Sequence, residues 1–209
     1  MKHGLVDSND PISLLQATQP HARRTLVRVS ANDPSSIGWC LDAGATGVIV
    51  PMVDSATEAE AAVSACRYPP VGRRSMGSTR ASLVYGSGYV AEAESVVQCI
   101  PMIETTAALD SLDEILSVVG VDIIYVGPSD LSMNLELGPG NHDGDPAFDD
   151  ALTMIVDACE RHGVIPGIHA NASLAPRRLD QGFKMVSVAE DLGGMWEALS
   201  GALESVRDN

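Results

Sequence analysis

Cys99-Ile100-Pro101-Met102-Ile103-Glu104-Thr105-Thr106 and Ile123-Ile124-Tyr125-Val126-Gly127-Pro128-Ser129-Asp130-Leu131-Ser132 are two apolar runs, each ending in one carboxylate. The segment 106–118 between them has helical patterning. Together they predict a strand–helix–strand unit with an acid at the C-terminal end of each strand. In parallel sheets and barrels, functional sites are built at those ends. Two carboxylates there suit a hard divalent cation that keeps open positions for water or substrate oxygens. Each acid also has a purely local reading. Asp130 can cap a turn at 131–133, and Glu104 can stabilise the first turn of its helix.

The same alternation runs outward in both directions. Thr25-Leu26-Val27-Arg28-Val29 and Gly47-Val48-Ile49-Val50-Pro51 read as strands, with a helix over 35–43 between them that Gly44 stops. Ser55-Ala56-Thr57-Glu58 has the capping-box pattern and opens a helix to about Arg67. Two glycine- and proline-rich loops follow, at 68–77 and 138–146, with a weakly helical segment at 90–95 between them. Downstream come a helix at 148–162 ended by Gly163, a strand at 164–169 and a helix at 173–181. The last strand is 184–189 and the terminal helix 191–206. Six strands that alternate with helices predict an α/β fold with parallel strands and helices outside. That count fits either an open doubly wound sheet or an incomplete eight-stranded barrel. With neither a G-x-G-x-x-G after the first strand nor a Walker loop, a nucleotide-binding sheet is disfavoured.

Bulk properties bound the function. The chain has 209 residues and a formal net charge of −15, which argues against nucleic-acid and anionic membrane partners. Its four cysteines, Cys40, Cys66, Cys99 and Cys159, form no C-x-x-C pair and read as buried free thiols. No apolar run approaches the ~20 residues of a membrane span, and no signal peptide is apparent, so a cytoplasmic setting is expected.

Four positions can converge on one site. Arg28, Glu104 and Asp130 end strands, and His3-Gly4 stands where a preceding strand would end. A cation on Glu104 and Asp130 could chelate a 2-oxo acid and stabilise its enolate. Arg28 has the fork geometry for a carboxylate or developing negative charge. A histidine could move the proton. Backbone N–H groups over 127–130 could bind the substrate carboxylate. The bland alternatives are a surface ion pair for Arg28 and a frayed terminus for His3.

Several ordered motifs resemble one family. They are Leu26-Val27-Arg28-Val29 with Asn32-Asp33-Pro34, Asp42-Ala43-Gly44-Ala45-Thr46-Gly47-Val48-Ile49-Val50-Pro51, Arg67-Tyr68-Pro69-Pro70-Val71-Gly72-Arg73-Arg74, Ile103-Glu104-Thr105 and Gly127-Pro128-Ser129-Asp130-Leu131-Ser132. With Gly182-Phe183 and Val186-Ser187-Val188-Ala189 they resemble the HpcH/HpaI aldolase/citrate lyase β family of class II pyruvate aldolases.

The resemblance implies a (β/α)8 TIM-type barrel of the phosphoenolpyruvate/pyruvate class. It also implies an exchanged C-terminal helix and a homo-oligomer, trimer or hexamer. By this resemblance Glu104 and Asp130 match Mg²⁺ or Mn²⁺ ligands, and Arg28 matches the substrate-binding, enolate-stabilising arginine. His3 matches the catalytic base, Asp42 the acid that raises its basicity, and Ser129 the backbone contact to the pyruvate carboxylate. The implied reaction is metal-dependent cleavage of a 4-hydroxy-2-oxo acid to pyruvate and an aldehyde. Oxaloacetate decarboxylation or a related carbon–carbon bond formation would share the enolate, and a non-catalytic paralogue that binds metal, 2-oxo acid or partner subunits is the contrasting reading.

Two departures stand out. By family analogy, residues 1–209 form a single barrel domain with six of eight strands, lacking about 40 residues before His3; Lys2 stands where acidic residues are usual. Met102 occupies a position that is commonly glutamine.

Overall fold

The computed structural model describes residues 11–21 and 24–207. In chain order the elements are α1 (Pro11–Thr18), β1 (Leu26–Arg28), α2 (Pro34–Asp42), β2 (Gly47–Val50), α3 (Ala56–Cys66), α4 (Thr79–Tyr85), α5 (Tyr89–Val96), β3 (Gln98–Ile103), α6 (Thr106–Asp110), α7 (Leu112–Leu116), β4 (Ile123–Val126), α8 (Pro128–Asn134), α9 (Pro146–His162), β5 (Ile165–Ile168), α10 (Ala175–Asp180), β6 (Met185–Val186) and α11 (Asp191–Arg207).

The helix boundaries follow local chemistry. Asp33 caps α2 by accepting from the Ser36 N–H, with Pro34 at the first helical position, where its missing donor costs nothing. Ser55 caps α3 by accepting from the Glu58 N–H at 3.3 Å, as its pattern predicts. Asp145 caps α9, and Gly163 ends it at φ 69°, a left-handed conformation that favours glycine. The helix expected over 106–118 is divided at Ser111 into α6 and α7. The structure also adds α4, between the loop at 68–77 and the helical segment at 90–95, and α8, where the sequence suggested a turn.

The six strands pair in parallel in the order β1-β2-β3-β4-β5-β6. A doubly wound sheet reverses its strand order at a switch point. This order never reverses, which resolves the sequence-level ambiguity in favour of a barrel-type winding. Each strand's two faces enter different apolar layers. One face packs under the helices, in a large core that includes Val48, Val50, Cys99, Ile103, Ile124, Val126 and Ile168. The other contributes Ile100, Met102 and Tyr125, packed with Leu26, Ile49, Ile123 and Met185. Leu26 and Met185 come from opposite edges of the sheet, so the sheet curls to bring both onto one inner cluster. The result is a curled, partial (β/α) barrel with a side-chain-filled interior. All four cysteines are free and buried, as expected. Among the described residues no helix is long and apolar enough to cross a membrane.

Candidate active site

Side chains alternate along a strand, so the register decides what faces the interior. Arg28 pairs with Ile49, and Met102 with Tyr125. The inner face therefore carries Leu26 and Arg28 on β1, and Ile100 and Met102 on β3 with Glu104 just beyond. Arg28 and Glu104 stand at the C-terminal ends of their strands, above the inner apolar cluster.

Glu104 is fully buried, at 0% exposure. Its Oε1 accepts from the Met52 N–H at 2.9 Å. Met52 holds a positive φ of 54°, a conformation uncommon for a non-glycine residue and one that clusters at functional sites. Gly127 packs against the other carboxylate oxygen. A Cβ at this position would stand 2.5 Å from Glu104 Oε2 and 2.9 Å from Met102 Cε. Only glycine leaves room for the carboxylate there.

Asp130 lies in the first turn of α8, behind Pro128, and is partly exposed. Asn134, one turn later, donates its carboxamide to the Asp130 carbonyl at 3.0 Å and to the Glu104 carbonyl at 3.4 Å. One side chain thus ties together the backbones of the two acids that the sequence singled out. Ser129 is exposed beside Asp130. Thr105 caps α6 by accepting from the Ala108 N–H at 3.0 Å and donates to Asp54, which fixes the turn just after Glu104.

The residues present fit a hard divalent ion. Two carboxylates on one rim, one buried and one partly exposed, leave coordination positions for oxygen ligands from water or substrate. Among the described residues no group of three or more His, Cys, Asp or Glu is placed to hold a metal. A pair of this kind resembles sites completed by waters and substrate more than a closed protein cage.

Of the remaining expected residues, one is not described and one stands apart. His3 lies outside the described residues. Asp42 ends α2, which returns from the rim to the opposite end of the sheet. Over its nine residues a helix spans about 14 Å, beyond direct reach of the Arg28 end. There Asp42 accepts from Arg74 at 2.7 Å. The Arg74 side chain is fully buried, lies over the Tyr68 ring at 4.6 Å and donates to the Tyr89 hydroxyl at 3.1 Å.

Sequence reading missed Met52 and Asn134 as parts of the site, and placed Gly127 there only through its backbone N–H, not as the cradle of the Glu104 carboxylate. Gly127 carried a faint signal, as a glycine between a strand and a proline. Met52 and Asn134 carried none, because their roles arise only where β2, β3 and α8 converge.

The family model for HpcH/HpaI aldolase/citrate lyase matches residues 6–198. A 2-dehydro-3,6-dideoxy-6-sulfogluconate aldolase from Pseudomonas putida is 40% identical over 201 residues, covering 93% of this chain and 77% of that protein. A hydroxypyruvate/pyruvate aldolase from Rhizorhabdus wittichii is 39% identical, with coverage of 92% and 77%. Among solved structures, a family protein from Burkholderia cenocepacia superposes with a TM-score of 0.91 at 29% identity, covering 99% of this chain and 83% of that one. Macrophomate synthase superposes with a TM-score of 0.87 at 28% identity, with coverage of 99% and 74%. The curled parallel sheet, the acid-bearing strand ends and these matches agree that the chain belongs to the HpcH/HpaI aldolase/citrate lyase family, an enzyme family of aldolases and lyases.

Proposed function

We propose that this enzyme is a divalent-metal-dependent aldolase that cleaves or forms a carbon–carbon bond of a 4-hydroxy-2-oxo acid through a pyruvate enolate. The observation that carries this reading is the buried Glu104 carboxylate, cradled by Gly127, oriented by Met52 and tied through Asn134 to Asp130. Glu104 and Asp130 would hold Mg²⁺ or Mn²⁺. When bound, the ion would supply Lewis acidity toward the 2-oxo oxygen and offset the charge of the enolate. Arg28, at the rim of β1, would bind the substrate's negative charge and keep the reacting carbons in register. The backbone at Ser129 would hold the substrate carboxylate.

His3 keeps its expected part as base, and Asp42 could support it only if that histidine reaches the Arg74 end of α2. The barrel is proposed to be of the phosphoenolpyruvate/pyruvate class, in a single domain and in a homo-oligomer. Support for association comes from α11, whose Leu192, Met195, Trp196, Leu199, Leu203 and Val206 are all exposed at helical spacing.

Pyruvate release from 4-hydroxy-2-oxo acids and from oxaloacetate, measured with Mg²⁺, with Mn²⁺ and with EDTA, tests the reaction. Turnover that requires metal is expected, and absence of turnover of either substrate would sink the proposal. Asp130→Ala should abolish Mg²⁺ binding in a calorimeter; retained binding would show that the ion sits elsewhere.

A further inference from the structure

The inner face carries a second polar group that the proposed reaction leaves unused. Tyr125 pairs with Gly167 on β5, and Gly167 pairs with Met185 on β6. A Cβ on Gly167 would stand 2.9 Å from Tyr125 Cδ2, so the phenol ring passes over β5 where only glycine leaves space. The ring thus lies over β5, and its hydroxyl interacts with Ser187, just past β6. One inward position higher stand His169 and Ser187, beyond the ends of β5 and β6. Ser187 Oγ lies 3.1 Å from His169 Nδ1, and His169 Nε2 lies 2.8 Å from Glu190 Oε1. The Ala170 N–H donates to Ser187 Oγ at 2.7 Å, and the Ala170 carbonyl is 2.8 Å from the same hydroxyl.

The hydrogen count of this cluster makes it a relay. A hydroxyl has one proton. If Ser187 donates to His169 Nδ1, the ring is neutral and its Nε2–H faces Glu190. If Ser187 instead donates to the Ala170 carbonyl, Nδ1–H donates to Ser187 and Nε2–H still faces Glu190, with the ring doubly protonated. Rotation of one hydroxyl switches between two satisfied arrangements that differ by one proton. His169 and Glu190 are open to solvent, with side chains 43% and 59% exposed, whereas Tyr125 is 8% exposed at the inner end. Burial raises the Tyr125 phenol above its ordinary range, the Ser187 hydroxyl and the Arg28 charge draw it partly back, and Glu190 pushes it up. A phenol so placed stays protonated near neutral pH and suits a proton donor.

We propose that Tyr125 donates the proton that converts the enolate to pyruvate, and that Ser187 and His169 resupply it from solvent. The inference rests on the enolate reading above. The phenol O–H bond breaks as the new C3–H bond forms. The Ser187 hydroxyl turns from the Ala170 carbonyl and gives its proton to the phenolate, Ser187 takes the Nδ1 proton of the doubly protonated His169 ring, which becomes neutral, and the ring regains a proton from water. The base removes one proton from the 4-hydroxyl group and the relay delivers one to carbon, so cleavage is proton-neutral. Tyr125 is the catalytic residue here; Ser187 and His169 act through it as relay and positioning residues.

The test uses the full chain with Mg²⁺ and pyruvate in D₂O and follows exchange of the methyl protons by NMR, alongside CO₂ release from oxaloacetate. Measured as a single turnover with enzyme in excess, CO₂ release reaches the same enolate before any proton is delivered. In Tyr125→Phe, which keeps the ring, the ratio of exchange to decarboxylation should fall by about 100-fold, the low end of general acid–base contributions. An unchanged ratio, or equal losses of both, overturns the relay and leaves the enolate reading standing. A native enzyme that performs neither reaction overturns both. His169→Ala should slow exchange, and added imidazole should restore it; loss without rescue means that the cluster only straps β5 to β6. In the metal-free protein the ring ¹⁵N shifts of His169 should move on Ser187→Ala, and unmoved shifts overturn the Ser187–His169 link.

Discussion

Gly127 shows how much one missing Cβ can decide. The Glu104 carboxylate occupies the space that a side chain would need, with Oε2 only 2.5 Å from the ideal Cβ position. Gly127→Ala should therefore displace the carboxylate rather than leave it in place. We expect a destabilisation of about 1–3 kcal/mol from overpacking, read by chemical denaturation, and a weaker affinity for Mg²⁺ in calorimetry. Unchanged stability and affinity would show that the carboxylate has room to move. Asp42 poses a different residue-scale question, because its partner is a buried cation. Asp42→Ala would strand the Arg74 guanidinium, whose side chain is 0% exposed. The expected loss is about 3 kcal/mol, the low end for breaking a buried pair, since Tyr68 and Tyr89 still contact the guanidinium. A loss well below 1 kcal/mol would show that the pair is effectively solvated.

At the scale of elements, the strand–helix–strand unit around Glu104 and Asp130 was legible because its signals are local. Apolar runs, a threonine cap and a Gly-Pro break can each be read without knowing what lies opposite. Thr105→Ala should cost about 1 kcal/mol through the lost cap of α6, measured by denaturation, and should loosen the turn that holds Glu104. No measurable change would mean that Asn134, through the Glu104 carbonyl, holds the turn without the cap. The division of 106–118 into two helices was not legible: α7 packs on α9, where Asp113 accepts from Arg161 at 2.9 Å. Helix α8 was read as a turn because five of its seven residues, Pro128, Ser129, Asp130, Ser132 and Asn134, are common turn formers. Its helical state is settled by packing, with Leu131 and Ser132 buried.

At the scale of the whole molecule, α11 has no buried residue, although its apolar positions share one face. In solution that face should be covered by a second copy. Trp196→Glu with Leu199→Glu should shift the sedimenting species to a smaller assembly; an unchanged species would place the contact elsewhere. The buried thiols add a pH dependence. Burial pushes Cys40 up to about 11 and Cys159 up to about 12, from an ordinary value of 9.0. The native state therefore holds these protons more tightly than the unfolded chain does. Below pH 9 the thiols are neutral in both states and stability is unaffected by them. As pH rises from 9 toward 11 and 12, the unfolded thiols ionise first and stability falls. Denaturation midpoints across that range should decline more steeply in the native protein than in a Cys40→Ala, Cys159→Ala variant; parallel declines would assign the effect to other groups.

The strand count, the parallel α/β alternation, the family and the two carboxylates that mark the rim can all be read from the order of residues along the chain. Period-2 and period-3.6 apolar patterns are written in consecutive residues, and a strand's end can be seen where its apolar run stops. Packing between elements set the single direction in which the sheet winds, the Glu104 pocket built by Met52, Gly127 and Asn134, and the meeting of Asp42 with Arg74 at the far end. It alone brought Tyr125, Ser187 and His169 into one cluster. These arrangements depend on register and curl between strands as many as 159 residues apart, from Leu26 to Met185, and no local pattern encodes which inward side chains will meet.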